Sequence, residues 1–257
     1  MQRRDSYFSN CKQNLKVLTF NIHNGITPYG EYNLEQITEF IGKIKPDLAG
    51  LQEVSRFWSI KTDYQDMVSL LEEKLGMHPV FAAMLKCNNK GFFGNLVLSK
   101  FPIINSWTEI LPGNLEARSC LAVQVRAAGA RVNFLTTHLG LSNSERLAQV
   151  GKIVNLGVQL GEPLIITGDF NQDPSGPELN LIKRNWIKHE PSQTRGTLRL
   201  SDGRIGPEVD MIFTSANLVL KSMKVYENEL SDHLPVYGEF EMGLPWNETA
   251  GEPVYYR

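Results

Sequence analysis

The chain has 257 residues, with 42% hydrophobic and 21% charged residues and a formal net charge of −2. That length suits one large α/β domain or two small ones, and it buries a sizeable core without disulfides or structural metals. The near-neutral charge argues against a protein whose main task is gripping duplex nucleic acid, because such affinity comes from neutralising phosphates with a basic excess. Three cysteines, Cys11, Cys87 and Cys120, match no zinc spacing, and their odd number fits a disulfide framework poorly, so reduced thiols are expected. The stretch from Met1 to Asn14 is polar, without the apolar core of a secretory signal, and no run reaches transmembrane length. A cytoplasmic protein is the expectation.

In chain order, Leu15 to Ile22 is a β-prone strand. Asn33 to Lys45 places Leu34, Ile37, Ile41 and Ile44 at helical spacing, with Asn33 and Gln36 resembling a capping box. Asp47 to Gln52 is a short buried strand that ends in Glu53. Thr62 to Leu75 is a second helix. Five strands follow, at Pro79 to Leu85, Phe93 to Ser99, Ile103 to Ile110, Leu121 to Arg126 and Val132 to Thr137, punctuated by Gly and Pro. Ser142 to Leu160 is a third helix, capped by Ser142 and Glu145, with Leu147, Val150, Val154 and Val158 along one face. Pro163 to Thr167 is a fully apolar central strand, and a short helix capped by Ser175 and Glu178 runs to Lys183. Strands at Val209 to Thr214, Leu218 to Tyr226 and Pro235 to Phe240 close the chain, after a long charged loop from Pro191 to Glu208. No linker divides the sequence. Many strands with a few helices predict two packed, mainly antiparallel sheets flanked by helices. A single domain over residues 15–242 is expected, with tails at 1–14 and 243–257.

Polar residues recur where apolar strands end: Asn21, Glu53, His138, Asp169 with Asn171, Asp210, and Asp232 with His233. Alone, each is a turn former, a cap or a solvated acid. Together they gather on one rim of a sheet, where α/β proteins bind ligands. Glu53, Asp169 and Asp232 are hard oxygen donors suited to Mg²⁺, with Mn²⁺ as the alternative. A divalent ion polarises a phosphoryl oxygen. Asp169 suits the role of proton acceptor and Asn171 that of orienting the nucleophile. His233 and His138 suit donation to developing charge, and Asp210 suits holding His233 in one tautomer. Aromatic residues in Arg56-Phe57-Trp58 and Gly91-Phe92-Phe93 are placed to line a pocket.

The ordered set Thr19-Phe20-Asn21, Leu51-Gln52-Glu53-Val54, Gly94-Asn95-Leu96-Val97-Leu98-Ser99-Lys100-Phe101-Pro102, Thr137-His138-Leu139, Thr167-Gly168-Asp169-Phe170-Asn171, Val209-Asp210-Met211-Ile212-Phe213 and Ser231-Asp232-His233-Leu234-Pro235-Val236 resembles the endonuclease/exonuclease/phosphatase superfamily. The resemblance spans Leu15 to Phe240. It implies a four-layer α/β/β/α sandwich and metal-assisted attack of water on a phosphoester. By motif match, Glu53 is implied as principal metal ligand, with Asn21 close to the metal and Asp232 in its region. Asp169 is implied as base, partnered by Asn171, and His233 paired with Asp210 as the group that stabilises the phosphoryl transition state. His138 matches deoxyribonuclease-like and sphingomyelinase-like branches, whereas abasic-site repair enzymes usually carry asparagine there. His23 stands where repair enzymes carry a metal-proximal aspartate. Asn95 is expected to face the phosphate. Arg118 resembles part of a segment of small bacterial hydrolases in this superfamily and is expected to clamp it.

The function expected is a divalent-metal-dependent phosphodiesterase or phosphomonoesterase acting on a small molecule or lipid headgroup. A deoxyribonuclease-like nuclease acting on nucleic acid is the alternative, and a non-catalytic phosphate-binding relative comes third.

Overall fold

The computed structural model describes residues 14–87, 90–127, 129–193 and 196–242. The expected terminal tails, apart from Asn14, lie outside the described residues, as does Cys11; Cys87 and Cys120 are free thiols.

Two strand–helix–strand units organise the chain. β1 (Asn14–Asn21) leads through helix α1 (Leu34–Ile44) into β2 (Leu48–Arg56), which pairs parallel with β1 from Val17–Leu48 to Asn21–Gln52. Helix α2 (Met67–Leu75) and the antiparallel strands β3 (His78–Cys87) and β4 (Gly91–Ser99) follow. The antiparallel meander β5 (Ile103–Leu111), β6 (Arg118–Ala127) and β7 (Ala130–His138) begins the second sheet. Helix α3 (Asn143–Leu160) then returns the chain to β8 (Leu164–Asp169), parallel to β7 from Asn133–Leu164 to His138–Asp169. Parallel neighbours need such crossovers, and α1 and α3 supply them. After the short helix α4 (Asn180–Lys183) come β9 (Ile187–Lys188), β10 (Asp210–Thr214), β11 (Leu218–Val225) and β12 (Val236–Met242).

The two six-stranded sheets run β11-β12-β1-β2-β4-β3 and β5-β6-β7-β8-β10-β9. Strand alternation splits β1 between two cores. Leu15 and Val17 face the second sheet, packing with Leu121, Val123, Phe134, Ile165 and Ile212. Leu18 and Phe20 face outward, under Ile37 and Ile41 of α1 and Met67 and Leu71 of α2. On the other side, Val150 and Ile153 of α3 cover Leu135, Ile166, Met211 and Phe213. The predicted α/β/β/α sandwich is therefore the observed one, although both sheets are mixed.

Some local expectations differ from what is found. Asn33 makes no capping bond; its Nδ2 instead donates to the Leu230 carbonyl at 3.0 Å, tying the start of α1 to the loop before Ser231. The second helix starts at Met67 rather than Thr62, because Asp66 caps it (Ser69 N to Oδ1, 3.2 Å), while Asp63 and Tyr64 take left-handed backbone with φ of 49° and 50°. The buried face of α3 is rotated from the expected one. Leu147 and Val158 are exposed, and Gly157 takes a place on the inner face, where a Cβ would lie 2.6 Å from Trp186. Ser175 does not cap α4; its backbone N and Oγ both bond Asp173 Oδ1, an Asx turn. β9, two residues long, is too short to show alternation.

The two sheets are in direct contact around Gly50 and Gln52. Gln52 Nε2 donates to Thr136 Oγ1 of the opposite sheet at 2.7 Å and reaches Thr19 Oγ1 at 3.2 Å. A Cβ on Gly50 would lie 2.5 Å from Thr136 Oγ1 and 2.7 Å from Thr167 Oγ1. Gly50→Ala is expected to push the sheets apart here and destabilise by about 1–3 kcal/mol, as overpacked cores do. Denaturant unfolding at matched m-value checks this, and an unchanged midpoint would count against so tight a contact.

Candidate active site

The carboxyl ends of both parallel pairs converge on one place: Asn21 ends β1, Glu53 lies near the end of β2, His138 ends β7 and Asp169 ends β8. Glu53 does not end its strand, as expected from the sequence, but sits in a bulge within it. Leu51 pairs with Leu96 and Val54 with Gly94, so Gln52 and Glu53 together oppose Asn95. Glu53 has φ of 57°, a left-handed conformation rare for such a residue, which turns its side chain toward the rim. Gly168 makes the second approach. With φ of 148° and a would-be Cβ 2.1 Å from the Thr137 carbonyl, only glycine lets β8 lie this close to β7.

Asp169, buried to 1% exposure, is the hub. Its Oδ1 accepts from Asn171 N at 2.8 Å, and Asn171 is itself left-handed with φ of 50°. Its Oδ2 accepts from Asn21 Nδ2 at 3.1 Å and lies 3.3 Å from His138 Nε2 and 3.6 Å from His233 Nε2. Asn21 Nδ2 also donates to Glu53 Oε1 at 3.0 Å, so one amide bridges the two acids. The far nitrogen of His233, Nδ1, is 2.8 Å from Asp210 Oδ2. Asp210 opens β10 directly opposite Asp169. Asn171 Nδ2 donates to the Leu139 carbonyl at 2.8 Å, so this amide fixes the turn after β8.

His138 and His233 hold different charge states. Burial and the nearby Arg118 push His138 down to about 4 against the pull of Asp169, so the ring is neutral near pH 7. Burial also works against the charged form of His233, but Asp210 and then Asp169 outweigh it and raise the group to about 10, so it is an imidazolium. Burial raises the Glu53 carboxyl above its usual range, against the Asn21 hydrogen bond and the neighbouring histidines.

The remaining predicted residues lie around this hub. Ser231 Oγ donates to the Asn21 carbonyl at 2.8 Å and is 3.1 Å from Asp232 Oδ1, binding the C-terminal motif to β1. The Asp232 carboxylate, about one-third exposed, lies 3.4 Å from His23 Nδ1. Asn95 and Arg118 share a cleft with Glu53 and His138. Asn95 Nδ2 donates to the Ser119 carbonyl at 3.1 Å. Arg118 pairs with Glu116 at 3.2 Å, and its buried Nε has no partner among the described residues.

Thr197, which matches no motif in the sequence, is a positioning residue. Its Oγ1 accepts from both Val209 N and Asp210 N at 2.9 and 3.0 Å, and its carbonyl accepts from Leu234 N at 2.6 Å. One threonine of the long loop thus fixes the backbone beside both members of the Asp210–His233 pair. Only the length of that loop hinted at a role.

Two groupings could hold a cation. Asp169, Asp210 and His233 present ligand atoms within 4.8 Å of one another. A metal-bound imidazole must be free of its proton on the ligating nitrogen, whereas both nitrogens of His233 face carboxylates that keep it protonated. The Glu53 side fits better. Its donors are hard oxygens, and the half-buried Glu53 carboxylate has an amide rather than a cation bonded to it among the described residues.

A family model described as the endonuclease/exonuclease/phosphatase family matches residues 18–233. The uncharacterized protein YbhP of Escherichia coli is 26% identical over 174 residues, 61% of this chain and 66% of that protein, so the match spans just under two thirds of the relative's length. Among solved structures, an endonuclease/exonuclease/phosphatase from Beutenbergia cavernae superposes with a TM-score of 0.75 at 20% identity, covering 90% of this chain and 72% of that one. A mannosyl-6-phosphatase from Bacteroides thetaiotaomicron gives 0.71 at 19% identity, covering 88% and 99%. Among the described residues, no helix is long and apolar enough to cross a membrane. With the family model matched over residues 18–233, most of this chain, and with the fold and rim described above, the chain belongs to the endonuclease/exonuclease/phosphatase family.

Proposed function

We propose that residues 15–242 form a single catalytic domain that hydrolyses phosphate esters with a divalent cation, Mg²⁺ or Mn²⁺, acting on a small molecule or lipid headgroup. The observation that carries this reading is Asp169, a buried carboxylate in reach of Asn21, a neutral histidine and a charged one. Glu53 is the principal cation ligand in this reading, with Asn21 and Asp232 beside it. A bound cation would polarise a phosphoryl oxygen and ease departure of the leaving oxygen.

The chain's own residues do the rest. Asp169, positioned by Asn171 N, takes a proton from water as the water oxygen bonds to phosphorus. The ester P–O bond breaks, and the alcohol leaves with a proton from solvent. His233, held charged by Asp210, donates to a non-bridging oxygen as negative charge develops there. His138, Asn95 and the unpartnered Arg118 Nε line the side of the cleft from which the phosphate is gripped. The net charge of −2 favours a small substrate over a polynucleotide. The fold neighbour named a mannosyl-6-phosphatase is consistent with such a substrate.

A panel of sugar phosphates, inositol phosphates, phospholipids, mononucleotides and plasmid DNA, assayed with Mg²⁺, Mn²⁺ or chelator, tests the proposal. Turnover of a small ester is expected, lost with chelator and restored by adding the cation back. Full activity in chelator refutes metal dependence, and rapid cleavage of plasmid alone moves the chain to the nucleases.

A further inference from the structure

A cavity of about 600 Å³ opens beside the rim and is walled by Phe57, Trp58, Tyr64, Lys90 and Phe92. It adjoins the catalytic cleft, with no lining residue in common. Glu53 of β2 lies four residues before Phe57, which directly follows that strand. The Trp58 ring packs against Phe93 with centroids 5.4 Å apart, and Phe93 itself lines the cleft that holds Glu53, Asn95, Arg118 and His138. The Trp58–Phe93 pair is the partition between the two spaces.

The side of the wall formed by the 57–65 loop is braced within the chain. Arg56 closes the base of the 57–65 loop through a bidentate pair with Asp66, at 2.8 and 2.6 Å, and Phe57 N donates to the Gln65 carbonyl at 3.0 Å. Gly91 lets the loop pack against β4, since a Cβ there would lie 2.8 Å from the Phe57 carbonyl. Phe57 and Tyr64 both take left-handed backbone, with φ of 52° and 50°, a conformation that costs bulky residues free energy. Backbone hydrogen bonds hold them there, Phe57 N to the Gln65 carbonyl and Tyr64 N to the Ser59 carbonyl, each at 3.0 Å, while the two residues stay 46% and 54% exposed on the cavity wall. Aromatic faces on several sides suit a flat ring better than a flexible chain, and a braced wall spares the cost of ordering it.

We propose that this cavity is a subsite for an aromatic ring carried on the alcohol portion of the phosphate ester. The proposal rests on the phosphoesterase reading for the position of the phosphate. The ring could belong to a nucleobase or to a phenolic group, which share this stacking chemistry.

The test uses phosphate esters whose alcohols carry a naphthyl group, a purine, a phenol or an alkyl chain of matched carbon number on a common propyl spacer, with the bare propyl ester as reference. The spacer keeps leaving-group basicity constant. The ring-bearing esters are expected to exceed the alkyl ester about tenfold in kcat/KM, a typical stacking effect. The purine and phenol arms tell the two ring sources apart. Phe57→Ala and Tyr64→Ala are expected to remove most of that preference, whereas Ile60→Ala, an exposed change in the same loop, keeps it. Equal rates for ring and alkyl, a preference for alkyl pointing to an acyl chain or lipid surface, or a ring preference untouched in both alanine variants overturns the subsite. The matching non-hydrolysable phosphonates, titrated against the full-length protein with Trp58→Phe to identify the fluorescence signal, read the subsite without turnover. Ring-dependent binding with no hydrolysis of any ester would sink the phosphoesterase reading and leave the subsite standing; hydrolysis with no ring-dependent binding or rate would do the reverse.

Discussion

Asp169→Asn is expected to lower kcat about a thousandfold or more, the scale of a lost general base. The substitution preserves size but inverts hydrogen bonding. Asp169 accepts on both oxygens, from Asn171 N on Oδ1 and from Asn21 Nδ2 on Oδ2, where His138 Nε2 also approaches. An asparagine must turn its NH₂ toward one of these donors. The variant therefore loses its proton acceptor and also leaves donors facing donors in a buried site, a stability cost of about 1–3 kcal/mol. The two effects separate experimentally: the melting temperature reports the second, and kcat measured well below it reports the first. A folded Asp169→Asn protein with near wild-type kcat would remove Asp169 from the chemistry.

The second large effect belongs to the His233–Asp210 pair. His233→Ala is expected to cost about 10²–10³ in kcat, as for loss of a donor to developing oxyanion charge. Asp210→Asn is the sharper experiment because it leaves the imidazole in place. Burial lowers the His233 pKa, and Asp210 is the largest influence that raises it, to about 10. If activity needs the imidazolium, the alkaline limb of the wild-type profile lies near pH 10, and in Asp210→Asn it moves down toward neutrality. An alkaline limb that stays put in the variant would mean that His233 charge is not required. Stability of the metal-free protein follows the same group. Its folded pKa lies above the unfolded value of 6.5, so its contribution is complete below about pH 6.5 and is lost as pH rises through about 10. The wild-type melting temperature should decline across that window, and Asp210→Asn should flatten the decline.

The strand ends were legible in the sequence because β-prone, largely apolar runs stop abruptly at Asn21, His138 and Asp169. The four layers were legible for a related reason: strands with apolar residues on both faces, such as Leu15 to Asn21, need a sheet on one side and helices on the other. Helix faces were less so. Leu147 and Val158 satisfy the periodicity of α3 but point to solvent, because the close approach of Trp186 to Gly157 sets the rotation of that helix, and a contact with residue 186 leaves no mark near residue 157.

The site divides in the same way. Its residue types could be read from the chain, since carboxylates, amides and imidazoles at strand ends have few other uses in such number. Their pairing could not. The bulge that turns Glu53 and the reach of Thr197 to the Asp210 backbone both depend on which strands become neighbours. The different charge states of His138, neutral, and His233, cationic, depend on the charges each ring meets and how deeply it is buried. Local sequence specified the groups that carry the chemistry, and the packing of one sheet on the other assigned each its partner, because distance and desolvation, which set a group's charge, are properties of the folded arrangement alone.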